Sequence, residues 1–216
     1  MPEDLESTYI QLCSMLGNAR LLAVSKHHSV VEIAKLYRLG QRLFGENYVQ
    51  EAVGKISQLP SDIEWHFIGQ LQSNKTKSVA QHFNWVQTID RLKIAKRLNE
   101  HCCELNKVLQ VCIYVNIDDE PQKGGVSVAD LDELVQHVIT YSHLQLRGLM
   151  VIPRPRDTDQ QRLDVFYRVK QLFDDLNMRG LHLDTLSMGM SNDYHVALAA
   201  GATMLRIGEL LFGLRP

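Results

Sequence analysis

Two stretches hold residue types that could do chemistry. The first is Leu21-Leu22-Ala23-Val24-Ser25-Lys26, where five small or apolar residues run into one lysine, with His27 and His28 behind it. A short, uninterrupted apolar run bounded by polar residues reads as a buried strand. Burial disfavours the ammonium form, so a lysine at the end of such a strand can become a nucleophilic amine that condenses with aldehydes. The competing reading is that Lys26 marks where the strand re-enters water. The second stretch is Ser187-Met-Gly-Met-Ser191-Asn-Asp193, followed by Arg206-Ile-Gly208-Glu209-Leu-Leu-Phe-Gly213. Glycines admit an anion close to backbone amides, and a helix start favours negative charge. A phosphate cup built from Ser191 and the amides near Gly208 and Glu209 follows; alternatively Gly189 and Gly208 serve tight turns and Ser191 caps a helix.

The elements that must position these residues alternate in type. Apolar spacing predicts helices over 2–19, 30–39 (ended by Gly40), from after Glu46-Asn47 to about 59, 73–81, 91–105 (capped by Asp90), 128–140, 159–178 and 193–200, with a last turn at 210–212. Short apolar or β-branched runs predict strands at 21–25, 42–45, 64–69, 84–89, 109–117, 144–150, 183–187 and 203–207. Between them lie a polar loop, Asp118 to Gly125, and a proline-stiffened one, Pro153 to Asp157. Eight strands alternating with helices imply a parallel sheet, and in about 200 residues a single closed (β/α)₈ TIM barrel over 1–216, with an extra N-terminal helix. An open doubly wound sheet is the runner-up, but no G-x-G-x-x-G opens the first helix. In a barrel, function gathers at the C-terminal strand ends. Here those ends carry Lys26, Glu46-Asn47, Gly69-Gln70, Asp90, Asn116 with the 118–125 loop, Met150, Ser187 to Asn192, and Arg206 to Glu209.

Composition narrows the field. With 216 residues, a net charge of −2, 45% hydrophobic and 22% charged residues, the chain is an ordinary globular one, with no global charge to attract nucleic acid or an anionic membrane. The acidic start lacks the apolar core of a signal peptide, and no apolar run approaches the roughly 20 residues that span a bilayer. Cys13, Cys102, Cys103 and Cys112 fit neither a zinc site nor a disulfide framework, and read as reduced thiols of a cytoplasmic protein. No metal is expected.

Six stretches together resemble the PLP-binding homeostasis proteins, single-domain relatives of the N-terminal barrel of alanine racemase. They are Ala23-Val-Ser-Lys26, Phe44-Gly-Glu-Asn-Tyr-Val-Gln-Glu51, Trp65-His-Phe-Ile-Gly69 with Leu71-Gln-Ser-Asn-Lys75, Leu146-Arg-Gly-Leu-Met150, Leu186-Ser-Met-Gly-Met-Ser191, and Arg206-Ile-Gly208 with Phe212-Gly213. They follow the family order from residue 21 to the C-terminus. The resemblance implies pyridoxal 5′-phosphate (PLP) held as an aldimine on Lys26, Arg206 facing the pyridine nitrogen, and Ser191 with Gly208 and Glu209 at the phosphate. It places Asn47 beside the ring and Met188 and Met190 along the site, although methionines at such spacing also read as core. His66 is either a site residue or a satisfied barrel histidine. Glu120 and Lys123 match a family loop over the cofactor, and otherwise form an exposed charged loop. Gln70 stands where the family commonly has proline or histidine.

The resemblance also frames the function. An arginine is always charged and only donates, so opposite the ring nitrogen it suppresses pyridine protonation and weakens the electron sink. Only a few residues follow strand eight, so the β-rich second domain of the racemases is not expected. The leading expectation is a monomeric PLP carrier or regulator of vitamin B6 and amino-acid homeostasis, without robust catalysis, whose partners are PLP and PLP-dependent apo-enzymes or B6 vitamers. The alternatives are a small amino-acid racemase using the same aldimine, and a Schiff-base or phosphate-binding barrel that uses no PLP.

Overall fold

The computed structural model describes residues 5–213. Eight strands close a parallel barrel in sequence order: β1 (Arg20–Val24), β2 (Leu43–Glu46), β3 (Glu64–Phe67), β4 (Trp85–Ile89), β5 (Leu109–Val115), β6 (Leu144–Val151), β7 (Thr185–Ser187) and β8 (Met204–Ile207). Helix α1 (Leu5–Met15) precedes the barrel. The crossover helices are α2 (Val30–Arg38), α3 (Val49–Ile56), α4 (Thr76–His82), α5 (Leu92–Glu104), α6 (Leu131–Val138), α7 (Asp159–Met178) and α8 (Tyr194–Ala199), and α9 (Glu209–Phe212) follows β8. The barrel, not the open sheet, is therefore the architecture, and each expected strand is present within a few residues of its place.

The helix boundaries obey local chemistry. Ser29 and Glu32 form a reciprocal capping box at α2, and Thr158 and Gln161 another at α7. Gly40, at φ +107°, takes the left-handed turn after α2. The expected start at Ser73 resolves into a 3₁₀ turn, Ser73–Lys75, before α4. Asp90 does not cap α5: the N-cap is Arg91, without a side-chain bond, and the Asp90 carboxylate pairs with Arg91 Nη1 at 2.6 Å. Helix α6 starts three residues later than expected, because Ser127 and Asp130 first close a turn, the Asp130 amide donating to Ser127 Oγ at 3.1 Å.

Strand alternation sorts side chains between two cores. One face of each strand packs against the helices, where Phe44, Phe67, Leu149 and Leu186 are all but fully buried. The other face fills the barrel. Leu22, Ile68 and Met204 form one apolar cluster inside it, with Val24 and Leu43 against them; Trp85, Cys112 and Met150 form another, with Tyr114 and Ile152. Between them lie polar residues that are just as buried: His66, Gln87 and Ser187 at 0% exposure and Arg206 at 4%. Among the described residues, no helix is long and apolar enough to cross a membrane.

Candidate functional site

Strand register decides what reaches the mouth. On β1, Leu22 and Val24 pack inside the barrel, while Ser25 turns outward, where its hydroxyl donates to Glu46 Oε1 at 2.6 Å. The alternation brings Lys26, half-buried, to the inner side. On β2 the inner set is Leu43 and Gly45, continued by Asn47; Val24 is paired with Gly45, which sets Lys26 level with Asn47. On β8 the inner set Met204 and Arg206 is continued by Gly208, with Ala23 paired to Ile207. Lys26, Asn47 and Gly208 thus rim the same mouth, and Arg206 lies one step below.

The turn holding Lys26 is fixed from outside the barrel. Lys55, on α3, donates from Nζ to the Ser25 carbonyl (2.7 Å), Glu46 Oε1 (2.7 Å) and Glu51 Oε1 (2.6 Å). Glu51 Oε1 also accepts the His27 amide at 2.6 Å. The peptide groups on both sides of Lys26 are therefore tied to one buried ion cluster. That cluster holds His27 at φ +66°, a left-handed conformation uncommon outside glycine. Burial pushes the Glu46 carboxyl above its usual range, against the opposing pull of Lys55. Behind the turn, the His28 ring stacks on Phe212 of α9 at 4.4 Å, joining the Lys26 loop to the segment after β8.

That segment meets the loop after β7. The Leu210 amide donates to Ser191 Oγ at 3.3 Å, and Gly208 is the N-cap of α9. Ser191 is not a helix cap: Asp193 is the N-cap of α8, and its carboxylate accepts the Met190 amide at 2.6 Å. Gly189, at φ +89°, could carry no side chain, since a Cβ would lie 2.5 Å from the Ala197 Cβ. Glu209 is exposed at the start of α9.

Below the rim, Arg206 donates from Nη1 to Ser187 Oγ and from Nη2 to the Val151 carbonyl, both at 2.8 Å. It forms no ion pair among the described residues, and burial lowers its pKa to about 10 against the opposing field of the Asp193 carboxylate. Asn47 and Gly69 belong to the wall of a cavity of about 200 Å³ at the mouth, with Gln70, Asp90, Tyr114 and Met150. Asn47 Oδ1 is buried there with no hydrogen-bond partner. A Cβ on Gly69 would fall 2.1 Å from the Asn47 carbonyl, so only glycine lets these loops cross. Burial raises the Asp90 carboxyl, opposed by Arg91.

The remaining candidates sit elsewhere. Met188 is fully buried in the core between barrel and helices, not at the mouth. Met190 is 40% exposed and lines a neighbouring cleft with Arg154 and Arg156. His66 lies inside the barrel, stacked on Trp85 at 5.0 Å, and burial lowers its pKa. Glu120 and Lys123 pair with each other at 2.6 Å, and it is Gly124 of their loop that enters the cavity wall. Lys55, Gln87 and Tyr114 belong to this arrangement and were not singled out from the sequence; the signal for Lys55 was its i,i+4 spacing from Glu51, and for Gln87 a polar residue on the inner face of an apolar strand. Cys13 and Cys103 are exposed, Cys102 and Cys112 buried, all four unbridged. No cluster of three or more metal-binding side chains occurs among the described residues.

A buried unpaired guanidinium under a rim of lysine, asparagine and glycine, on a (β/α)₈ barrel, defines a class: a barrel built to hold a small anionic, carbonyl-bearing ligand. The chain belongs to the alanine racemase N-terminal domain family, whose model matches residues 3–216. It is 47% identical over 204 residues to the pyridoxal phosphate homeostasis protein of Haemophilus influenzae, covering 92% of this chain and 86% of that one. It is 49% identical over 199 residues to the protein of that name in Escherichia coli K12, covering 90% and 85%. PipY of Synechococcus elongatus PCC7942 superposes with a TM-score of 0.92 in its structure without PLP (36% identity, 97% of this chain and 100% of that one) and 0.89 with PLP bound (35% identity, the same coverage). Alanine racemase of Corynebacterium glutamicum shares the fold, with a TM-score of 0.75 at 17% identity over 98% of this chain and 61% of its own.

Proposed function

We propose that the chain binds PLP at the barrel mouth, on the amine of Lys26, and acts in vitamin B6 and amino-acid homeostasis as a carrier and not as a catalyst. The observation that carries this is the register that sets Lys26 between its two neighbouring strands, level with Asn47 after β2 and beside Gly208 after β8. The residues present fit the group. Asn47 Oδ1 lacks a partner, so a ligand hydroxyl or protonated nitrogen would satisfy it. A Cβ on Gly208 would press on the Val24 carbonyl at 3.2 Å, so glycine lets the backbone after β8 lie close against the end of β1. Ser191 and the start of α9 would take the phosphate. The relatives named for PLP homeostasis and the PLP-bound PipY support the same choice.

When bound, PLP supplies a reversible carbonyl linkage and an electron sink. Arg206 weakens the second of these: a guanidinium gives protons to hydrogen bonds and accepts none, so a ring nitrogen beside it stays unprotonated. Strong linkage with a weak sink suits storage and release. We take the working form to be a monomer, which sedimentation at low concentration tests, and its partners to be PLP, other B6 vitamers and the apo-enzymes that receive them.

The deciding measurement is the visible spectrum, before and after borohydride, of wild type and Lys26→Ala. A yellow band that borohydride bleaches while fixing the cofactor to Lys26 is the expected result. No band after added PLP, or a band untouched in Lys26→Ala, overturns the proposal. Incubation with alanine in deuterium oxide tests the carrier role, since a racemase washes deuterium into the α-carbon and a carrier does not.

A further inference from the structure

Barrel interiors of this type are packed with branched apolar side chains. This one is crossed by a chain of polar groups. Arg206 Nη1 donates to Ser187 Oγ at 2.8 Å, and Ser187 Oγ donates to Gln87 Oε1 at 2.6 Å. Gln87 Nε2 lies 2.9 Å from His66 Nδ1, and His66 Nε2 lies 2.8 Å from Glu64 Oε1. The chain begins at the mouth and ends at Glu64, the first residue of β3, on the opposite face of the barrel, where Arg20 of β1 approaches to 4.0 Å. Ser187, Gln87 and His66 are all 0% exposed.

The ends of this chain fix its direction. A guanidinium only donates and a carboxylate only accepts. The Gln87 amide has one accepting and one donating end, and it sits between a hydroxyl and an imidazole. Every proton then points away from Arg206: Ser187 to Gln87, Gln87 to His66, His66 to Glu64. His66 is neutral, with its proton on Nε2. With no acceptor at the Nδ1 position, Gln87 Nε2 keeps only the weak acceptor Met204 Sδ at 3.1 Å, and little then opposes turning its NH₂ toward Ser187. The Ser187 hydroxyl would then receive two donors, and its own proton would lose the Gln87 acceptor that now directs it away from the guanidinium.

We infer that His66 and Gln87 are positioning residues for Arg206, acting through Ser187 to hold its guanidinium in the one orientation in which it serves a ligand at the mouth. The consequence for PLP rests on the function proposed above; the hydrogen-bond chain does not.

The test has two independent arms. In the protein without added PLP, ¹⁵N spectra of the histidine rings should show His66 neutral with its proton on Nε2. Arg206→Lys should move that resonance although the two side chains do not touch. A proton on Nδ1, or a resonance indifferent to Arg206→Lys, overturns the inference whatever the protein binds. In the second arm PLP is titrated by its visible band. His66→Phe and Ser187→Ala should each weaken binding by about three- to tenfold, the worth of one neutral hydrogen bond. The double variant should be no weaker than either single one, because both break the same chain. His66→Asn, whose Oδ1 stands near the position of Nδ1, should restore binding to within about twofold of wild type and Phe should not, a difference that stability alone would not produce. Additive losses, or Asn as weak as Phe, overturn the inference. If wild type shows no band at all, the functional proposal fails and the spectra of the first arm still decide the coupling.

Discussion

Replacing Lys55 by methionine keeps the length of the side chain and removes the cation from the cluster behind Lys26. The Lys55 side chain is 8% exposed and that of Glu46 0%, whereas Glu51 is 25% exposed and can turn to water. The cost therefore falls on Glu46, whose Oε2 already lacks a partner and whose Oε1 would keep only the Ser25 hydroxyl. Removing one partner of a buried pair typically costs about 3–5 kcal/mol. Glu46 also has an escape, since it can take up a proton. From its ordinary value of 4.5 that costs at most about 1.36 × (7 − 4.5), or roughly 3.4 kcal/mol, at pH 7 and about 0.7 kcal/mol at pH 5. With about 1 kcal/mol for the lost bond to the Ser25 carbonyl, the expected destabilisation is about 4 kcal/mol at pH 7 and about 2 kcal/mol at pH 5. The sign follows from linkage. A carboxyl whose folded pKa is raised holds more protons folded than unfolded, so stability falls as pH rises from the unfolded pKa through the folded one. Urea unfolding of wild type and Lys55→Met at pH 5, 6 and 7 measures this. The double variant Lys55→Met with Glu46→Gln should regain most of the loss at pH 7. A loss independent of pH, or one the second substitution does not relieve, would refute the assignment of the cost to Glu46.

Three further outcomes follow from single contacts. Gly69→Ala forces the Asn47 carbonyl away from a Cβ at 2.1 Å, so both the melting temperature and PLP affinity should fall; a variant with unchanged affinity would separate Asn47 from the site. Thr158→Ala removes the capping box of α7 and should cost about 1 kcal/mol in urea unfolding, leaving the visible band unchanged. The His66 hydrogen bond holds the Glu64 carboxyl below its usual range. Glu64 therefore contributes stability that is present above the ordinary carboxylate pKa of 4.5 and lost as pH falls through its lower folded value. His66→Phe should flatten that acid limb of the stability curve, and an unchanged limb would place the contribution elsewhere.

The barrel was legible because its strands and helices differ in period, and because eight such units in this length leave a closed sheet as the simplest arrangement. The strand ends were legible for the same reason, and with them Lys26, Asn47 and Arg206 as residues of one face. What the sequence hid depends on which side of a strand is inside. Met188 and Arg206 both lie at the end of a barrel strand, but the period of two sends Met188 into the outer core and Arg206 into the barrel. Asp90 looked like a helix cap by position, and its carboxylate instead closes on Arg91 at the mouth. Gln87 in Trp85-Val-Gln-Thr-Ile89 carries no local signature, because a buried amide is explained only by the partners that satisfy it, and these come from β3, β7 and β8, two of them 100 and 117 residues away. A polar group at such a place costs stability unless each of its donors and acceptors is met. That every member of the line from Arg206 to Glu64 is met, and in one direction, is the physical reason to regard the polar barrel interior as part of the site and not as imperfect packing.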